Sequence, residues 1–246
     1  MTPRRIPIAG LAEGERRLDG PLAHYLARVL RMHAGDPFVA FDPATGQEAD
    51  ALTVRADEEA VTVRLAEPRP GAARASREIA WVQALPKGDK CDAIVRDATE
   101  LGATRIIIAQ TKRSVVRLDG RRADERASRW MRIAREATRQ CGRSDAPAIE
   151  GPVGWDDALA RPGPAHARFC LWEGATDPLA PGLLEALRRS CPLAFACGPE
   201  GGLDVVEVDT ARAAGWSVVS LGPRRLRTET VAAAVLGATE IWAALH

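Results

Sequence analysis

Residues 79–110 read IAWVQALPKGDKCDAIVRDATELGATRIIIAQ, and this stretch decides the fold. It contains two short apolar runs, at residues 79–85 and 105–110, which have the length of buried strands. Between them, apolar residues recur at helical spacing over residues 86–102, and Gly102 stands where a helix would end. A strand, a helix and a strand in this order predict a right-handed crossover and a parallel sheet.

The same alternation continues to the end of the chain. We predict further helices at residues 125–141, 183–189, 204–214 and 229–245, and further strands at residues 167–172, 192–197 and 216–221. Asp204 with Glu207 three residues later matches a capping box, which fixes the start of one of these helices. The sequence therefore predicts an α/β domain over residues 71–246.

Residues 1–70 show a different pattern, and we expect them to form a separate, mostly β domain. Residues 60–66 alternate, with Val61, Val63 and Leu65 on one face, and residues 36–43 end at a turn signal. One helix is expected at residues 24–32. A stretch rich in proline, glycine and small residues follows at 67–77 and marks the boundary.

Composition places the chain among soluble globular proteins, with 46% hydrophobic residues and a net charge of +1. We expect a cytoplasmic protein without a membrane span, because no apolar run approaches about 20 residues. The five cysteines form no CxxC pair, so we expect neither a disulfide framework nor a metal site. If the partner is a nucleic acid, the basic charge must be local.

Three predicted strands end in unusual loops: Leu171-Trp-Glu-Gly-Ala, Cys197-Gly-Pro-Glu-Gly-Gly and Leu221-Gly-Pro-Arg-Arg-Leu-Arg-Thr-Glu-Thr. Ligands of open α/β sheets bind at the carboxyl ends of strands. Glycine lets the backbone approach a ligand closely, and proline stiffens the loop. Each loop alone reads as a tight turn, but three together favour a ligand site. They match neither the dinucleotide nor the phosphate-loop pattern.

Several motifs resemble the ribosomal RNA small-subunit (uracil-N3)-methyltransferases of the SPOUT class. They are Arg28-Val-Leu-Arg, Gly35-Asp, Pro86-Lys-Gly-Asp-Lys, Thr99-Glu-Leu-Gly-Ala, Arg113-Ser-Val-Val, Glu136-Ala-Thr-Arg-Gln-Cys-Gly-Arg, and the loops that begin at Gly198 and Leu221. The resemblance covers nearly the whole chain. It implies a SPOUT-type parallel-sheet α/β domain with a C-terminal trefoil knot over residues 71–246, behind a PUA-like β-barrel over residues 1–70.

The resemblance also implies S-adenosyl-L-methionine as cofactor, 16S ribosomal RNA of the small subunit as partner, and a homodimer. The cofactor-binding residues that it implies are Leu171, Gly198, Pro199, Glu200, Gly201, Gly202, Leu221, Gly222, Leu226, Arg227, Thr228, Glu229 and Thr230.

Arginines supply the candidates for RNA contact, because their guanidinium groups suit phosphates and stack on bases. Arg132, Arg135 and Arg139 fall on one side of a predicted helix. A solvated helix face is the alternative interpretation. With the resemblance added, the RNA-binding candidates are Arg4, Arg5, Arg28, Arg113, Ser114, Arg139 and Arg143.

Methylation at N3 of uridine requires loss of the N3 proton and stabilisation of the resulting anion. Arg227 is the first candidate for the stabilising cation, because it projects from the cofactor loop. Glu200 and Glu229 are candidates for proton removal, although either carboxylate could instead orient a loop.

Other functions stay open on the sequence alone. A related SPOUT enzyme would methylate a ribose 2′-oxygen or another base, and a non-catalytic relative would only bind RNA. Intact glycine loops argue against the second alternative. A phosphate-binding enzyme is disfavoured because the lysine and the serine or threonine of a phosphate loop are missing.

Overall fold

The computed structural model describes residues 4–57, 59–73, 75–114 and 117–245. Val115 and Val116, part of one motif quoted above, lie outside these ranges. The contacts divide the chain into two compact units. The first comprises Met1–Arg74 and Thr138–Ala146, and the second comprises Ala75–Ala137 and Pro147–His246.

The second unit is built on a six-stranded sheet in the order β12-β10-β11-β7-β8-β9, in which all neighbouring strands are parallel. Its strands are β7 (Ile79–Ala84), β8 (Arg105–Gln110), β9 (Ala148–Gly154), β10 (Ala167–Leu171), β11 (Leu193–Cys197) and β12 (Ser217–Val219). Its helices are α2 (Lys90–Glu100), α3 (Gly120–Cys141), α4 (Trp155–Ala160), α5 (Leu179–Arg188), α6 (Val205–Ala213) and α7 (Thr228–Ala243). The last four residues of α3 belong to the first unit.

Helices cover both faces of this sheet, which is why its central strands are apolar throughout. All six residues of β7 are buried. Trp81 packs in one core cluster with residues of α2, α5 and α7, whereas the next residue, Val82, packs in the other with residues of α4 and α6. Because successive side chains of a strand point to opposite faces of the sheet, β7 contributes residues to the hydrophobic core on both faces.

The first unit contains a mixed sheet in the order β1-β3-β4-β5-β2, with β6 paired to β4. The strands are β1 (Arg5–Pro7), β2 (Gly14–Asp19), β3 (Pro37–Asp42), β4 (Gln47–Ala56), β5 (Ala60–Leu65) and β6 (Arg69–Pro70), and the helix is α1 (Gly20–His24). Only β1 and β3 pair in parallel among these described strands. Val61, Val63 and Leu65 are all buried in its core, as their alternation predicts.

Several boundaries differ from the predictions for local reasons. Helix α2 begins at Lys90 and not at residue 86, because Gly88 adopts a positive φ of 63° that a helix cannot include. Helix α3 begins at Gly120, five residues earlier than expected, since its first turn is polar and hides the apolar period. The predicted helix at 24–32 is α1 followed by a π-helical turn, Tyr25–Val29.

Some elements were missed, and β9 shows why. Gly151 and Pro152 interrupt its apolar pattern, and both residue types are depleted in strands. Its pairing with β8 shifts register between Ile107 and Ala109, an irregularity that accommodates the interruption.

Candidate functional site

The three glycine-containing loops lie side by side because their strands are neighbours. Leu171 at the end of β10 pairs with Cys197 at the end of β11 and with Val219 at the end of β12. The strands are parallel and in register at their carboxyl ends, so the loops that follow start at one edge of the sheet. The predicted convergence of these loops is therefore found in the structure.

A cavity of about 1010 Å³ lies among these loops. Its lining residues are Lys90, Leu171, Trp172, Glu173, Ala175, Thr176, Cys197, Gly198, Pro199, Glu200, Gly201, Gly202, Ser220, Leu221, Gly222, Pro223, Arg224, Arg225, Leu226, Arg227, Thr228 and Val231. The volume lies at the upper end of the range of small-molecule and cofactor sites, roughly 300–1,000 Å³.

Two glycines of the loop after β11 are required by the local geometry. A Cβ on Gly198 would lie 3.1 Å from the backbone carbon of Gly202 and from the backbone nitrogen of Leu203. Gly202 has a φ of +71°, and a Cβ there would lie 2.3 Å from Oε1 of Glu173. At Gly198 the loop therefore folds closely on itself, and at Gly202 it lies against Glu173 of the loop after β10.

A buried hydrogen-bond network forms the floor of this cavity. The Gln83 amide donates to Oγ1 of Thr228 at 3.0 Å, and that hydroxyl donates to the carbonyl of Gly198 at 2.8 Å. Trp81 donates its indole N–H to Gln83 at 3.0 Å. Gln83 is fully buried and Thr228 is 5% exposed. Their polar groups are therefore shielded from solvent and are satisfied by hydrogen bonds to one another.

This network joins β7, the loop after β11 and the start of α7. Sequence reasoning missed Gln83, although a glutamine inside an otherwise apolar strand was a visible signal. A buried amide requires partners, and here the partners are the two segments that line the cavity.

Lys90 was also not selected as a site residue, and the structure places it between two carboxylates. Its Nζ lies 2.9 Å from Oε1 of Glu200 and 3.8 Å from Oε2 of Glu229. Burial opposes ionisation of Glu200, yet the hydrogen bonds from Lys90 and from backbone N–H groups together lower the pKa of this carboxyl. The hydrogen bond to Glu200 raises the pKa of Lys90. Both groups are therefore charged at neutral pH.

The loop after β11 is also held by contacts at the start of α6 and by Lys112 and Arg113. The predicted capping box is confirmed: Asp204 caps the backbone of α6, and Glu207 accepts from the N–H of Asp204 at 2.8 Å. Arg113 donates to the carbonyl of Gly201 at 2.8 Å, and Lys112 contacts Asp204 at 3.3 Å. Arg113, predicted to contact RNA, thus has a structural contact with the cofactor loop.

Most of the predicted cofactor residues line the cavity, and two do not. Glu229 and Thr230 follow Thr228 on α7, where each residue is rotated by about 100° from the last. Thr228 lines the cavity, whereas the side chain of Thr230 is exposed to solvent. Glu229 does not line the cavity but forms an ion pair with Lys90, which does. Of the predicted catalytic residues, Arg227 and Glu200 line the cavity.

Three residues predicted to bind RNA are engaged within the fold. Arg5 pairs with Glu48 at 3.1 Å and donates to Ser144. Arg143 is buried and pairs with Asp145 at 2.9 Å. Ser114 is buried, with its hydroxyl 3.0 Å from that of Thr111. Their burial gives each a structural role and leaves little of it accessible to RNA.

The other RNA candidates of the first unit differ among themselves. Arg4 and Arg28 are exposed. Arg139 is half-buried, with its guanidinium 5.5 Å from the centre of the Tyr25 ring and a hydrogen bond to the hydroxyl of that tyrosine. Of the predicted basic stripe Arg132, Arg135 and Arg139, the first two are exposed and only Arg139 is half-buried.

The cysteines supply no reactive thiol at the cavity. Burial raises the pKa of Cys197 to about 12, and the thiol is close to Gly198 and Thr228. Within the described ranges, the His, Cys, Asp and Glu side chains form no group of three or more that could hold a metal ion. In the same ranges no helix is long and apolar enough to cross a membrane.

Fold and cavity together define an α/β protein whose ligand site is made by backbone-rich loops at one edge of a parallel sheet. The family model of the RNA methyltransferase domain matches residues 73–240, which includes every residue that lines the cavity. The chain belongs to this RNA methyltransferase family.

Named relatives agree over most of the chain. The ribosomal RNA small subunit methyltransferase E of Bacillus subtilis is 30% identical, over 87% of this chain and 84% of that protein. The protein of the same name from Synechocystis is 31% identical, over 84% of this chain and 66% of that protein.

A solved structure of ribosomal RNA small subunit methyltransferase E from Neisseria gonorrhoeae, bound to S-adenosyl methionine, superposes with a TM-score of 0.85. Its identity is 25%, and the match covers 98% of each chain. A candidate methyltransferase from Legionella pneumophila, in complex with the bound cofactor SAM, gives a TM-score of 0.83 at 27% identity and covers 98% of each chain. The family resemblance, and the parallel α/β fold predicted from the alternation of strands and helices, are thus confirmed.

Proposed function

We propose that this protein transfers a methyl group from S-adenosyl-L-methionine to 16S RNA of the small ribosomal subunit. The observation that carries the proposal is the convergence of three glycine-containing loops on one cavity at the carboxyl edge of the sheet. The relatives named for this activity, and the two bound to the methyl donor, match this chain over the same region.

The residues present fit this cofactor. Gly198, Gly201 and Gly202 line the cavity without side chains, so a ligand can approach the backbone of this loop closely, as recognition of an adenine edge requires. Leu171, Leu221, Leu226 and Val231 add apolar surface to the same cavity. When bound, the cofactor supplies an electrophilic methyl group on a sulfonium.

We further propose that the acceptor is N3 of a uridine. The neutral imide nitrogen has no available lone pair, so its proton must leave and negative charge then spreads over O2 and O4. Arg227 lines the cavity and is exposed, and no described residue forms a hydrogen bond or ion pair with its side chain. Its guanidinium is therefore available to stabilise that charge.

The two candidate carboxylates, Glu200 and Glu229, have different roles in this proposal. Glu200 is occupied by Lys90 and by the backbone N–H of Lys87, and its lowered pKa makes it a weak base. Oε2 of Glu229 is buried without a hydrogen-bond partner among the described residues, 3.8 Å from Lys90. We assign proton removal to Glu229, acting through a small movement or a water molecule, and loop positioning to Glu200.

Four further features of the proposal rest on the family resemblance. They are a PUA-like barrel at residues 1–70, a trefoil knot in the C-terminal domain, a homodimer and a cytoplasmic location. The mixed sheet of the first unit is compatible with the barrel. Sedimentation of the purified protein tests the dimer.

Nucleoside mass spectrometry tests the reaction and its position. Small-subunit ribosomal RNA lacking the modification is treated with the protein and labelled cofactor. We expect labelled 3-methyluridine. A 2′-O-methylated nucleoside or another methylated base would replace the proposed acceptor, and binding of RNA without any labelled product would indicate a non-catalytic relative.

A further inference from the structure

A second cavity of about 410 Å³ lies in the second unit, outside the methyl-transfer site. It is lined by Asp89, Leu118, Glu125 and four arginines. The arginines are Arg117, Arg122, Arg126 and Arg129. Four guanidinium groups around one cavity are unexpected in a chain whose net charge is +1.

Only one of the four arginines is neutralised. Arg129 donates to Asp92 at 2.7 Å and lies 3.8 Å from Asp89. Arg117, Arg122 and Arg126 form no hydrogen bond or ion pair with any residue that the structure describes. Glu125, the remaining carboxylate of the lining, is paired with Arg121 at 2.8 Å. Positive charge therefore dominates the cavity.

The backbone adds to this charge. Leu118 and Arg122 flank the start of α3, a helix of 22 residues with no acidic residue in its first turn. The amino end of a helix carries a partial positive charge and unpaired N–H groups, which favour an anion. The first turn of α3 holds no acidic residue, and the carboxylate of Asp119, the residue directly before the helix, is not part of the lining of the cavity.

The position of this cavity suggests which anion binds. Asp89 lines the arginine cavity, and the next residue, Lys90, lines the methyl-transfer cavity. The two cavities thus adjoin at the start of α2, the helix that follows β7. An RNA chain with one nucleotide in the methyl-transfer cavity would pass close to these arginines. Guanidinium groups pair with two oxygens of a phosphate at once.

We propose that Arg117, Arg122 and Arg126 bind a backbone phosphodiester of the RNA substrate next to the nucleotide that is methylated. This assignment rests on the proposed methyl transfer to RNA and adds the place where the substrate backbone is anchored. A phosphate contact positions the RNA and carries no sequence information, so these arginines set affinity and register and leave the choice of base to the other cavity.

The test is a double variant, Arg122→Gln with Arg126→Gln, measured against Arg121→Gln. Arg121 lies on the same helix, is 91% exposed and does not line the cavity. It therefore matches the loss of one charge in each single variant, Arg122→Gln and Arg126→Gln, which are measured beside the double variant. The affinity for small-subunit ribosomal RNA is measured over a range of salt concentrations without the methyl donor. We expect the double variant to bind RNA about tenfold or more weakly at low salt, with the slope of log K against log salt reduced by about one for each lost contact.

Turnover supplies the second readout. For the double variant we expect a raised KM for RNA, with kcat at saturating RNA and affinity for the cofactor unchanged. Arg122→Lys keeps the charge but loses the two-oxygen geometry, and we expect it to bind between Arg122→Gln and the wild type. An RNA affinity and slope equal to the wild type, or an equal loss in Arg121→Gln, would overturn the assignment.

If the proposed methyl transfer to RNA is itself wrong, the experiment gives a different result. In that case the wild-type protein itself yields no methylated nucleoside, whatever the arginine variants do. If the double variant fails to fold, the single variant Arg122→Gln serves, since this side chain is exposed and leaves the core intact.

Discussion

The floor and the rim of the methyl-transfer cavity are built in opposite ways. The floor is buried: Gln83, Thr228 and Gly198 bond to one another, and the glycine loop has no space for an added carbon. The rim, in the loop after β12, is exposed, and it carries Arg224, Arg225 and Arg227 without hydrogen-bond or ion-pair partners among the described residues.

This difference separates two tasks. A site that binds one cofactor benefits from groups fixed in advance, because no ordering is then needed upon binding. An RNA substrate arrives with its own charges, so cationic side chains that have no partner in the free protein are suited to it. We therefore expect damage to the floor to affect cofactor affinity and stability, and damage to the rim to affect turnover.

The largest expected effect is at the rim. Arg227→Ala removes the cation proposed to stabilise the deprotonated base, and we expect kcat to fall on the order of 100-fold or more. Cofactor affinity should change little, since Arg227 contributes no part of the buried network. Single-turnover methyl transfer and calorimetry of cofactor binding measure the two separately.

The matched control is Arg188→Ala, which removes the same charge from the exposed end of α5, away from the cavity. It should leave both quantities as in the wild type. Unchanged turnover in Arg227→Ala would remove this arginine from the mechanism.

The next effect is at the floor. Thr228→Val keeps the shape of the side chain but removes the hydroxyl that bonds Gly198 and Gln83, so buried polar groups lose partners. We expect the free energy of unfolding to fall by about 1–3 kcal/mol. Cofactor affinity should weaken as well, because the carbonyl of Gly198 is no longer fixed. Urea unfolding and calorimetry measure these changes.

Thr228→Ser retains the hydroxyl and is the control for this variant. We expect it to stay close to the wild type in both measurements. If Thr228→Val equals Thr228→Ser in stability and cofactor affinity, the network does not support the floor in the way described.

The smallest expected effect concerns Glu200, where floor and rim meet. Its pKa is lowered in the folded protein, so ionised Glu200 stabilises the fold above the ordinary glutamate pKa of 4.5, and this contribution is lost as the pH falls through the lowered pKa. Because Lys90 is partly exposed, we expect less than about 1 kcal/mol.

Unfolding of the wild type and of Glu200→Gln is compared between neutral and acidic pH. The stability difference should be constant at neutral pH and should diminish as the pH falls below 4.5. A difference that grows on acidification would contradict the sign of the shift.

Local patterns predicted the elements wherever one period dominated the sequence. The alternation in β5 and the helical spacing of Cys91, Ile94, Val95 and Ala98 in α2 were read correctly. Strand β9 was missed because glycine and proline obscure its pattern, and pairing with β8 stabilises it nonetheless. Such pairing depends on partners far away in the chain, which a local window does not contain.

In the candidate site, too, local motifs were predicted and contacts between distant residues were not. The loop residues from Gly198 to Gly202 were selected from the motif, and they line the cavity. Lys90, Gln83 and the arginine cavity were not found, because their significance depends on neighbours that are distant in sequence: Glu200 is 110 residues from Lys90, and Thr228 is 145 residues from Gln83.

The sequence by itself determined the α/β alternation, the glycine-rich loops and the family resemblance, because periodicity and motif chemistry are local properties. Only the tertiary structure decided which charges are free. It engaged Arg5 and Arg143 with Glu48 and Asp145 and left Arg122, Arg126 and Arg227 without such partners among the described residues. The physical reason is that an arginine's role depends on burial and on the carboxylates within reach, and both are set by the packing of the whole chain.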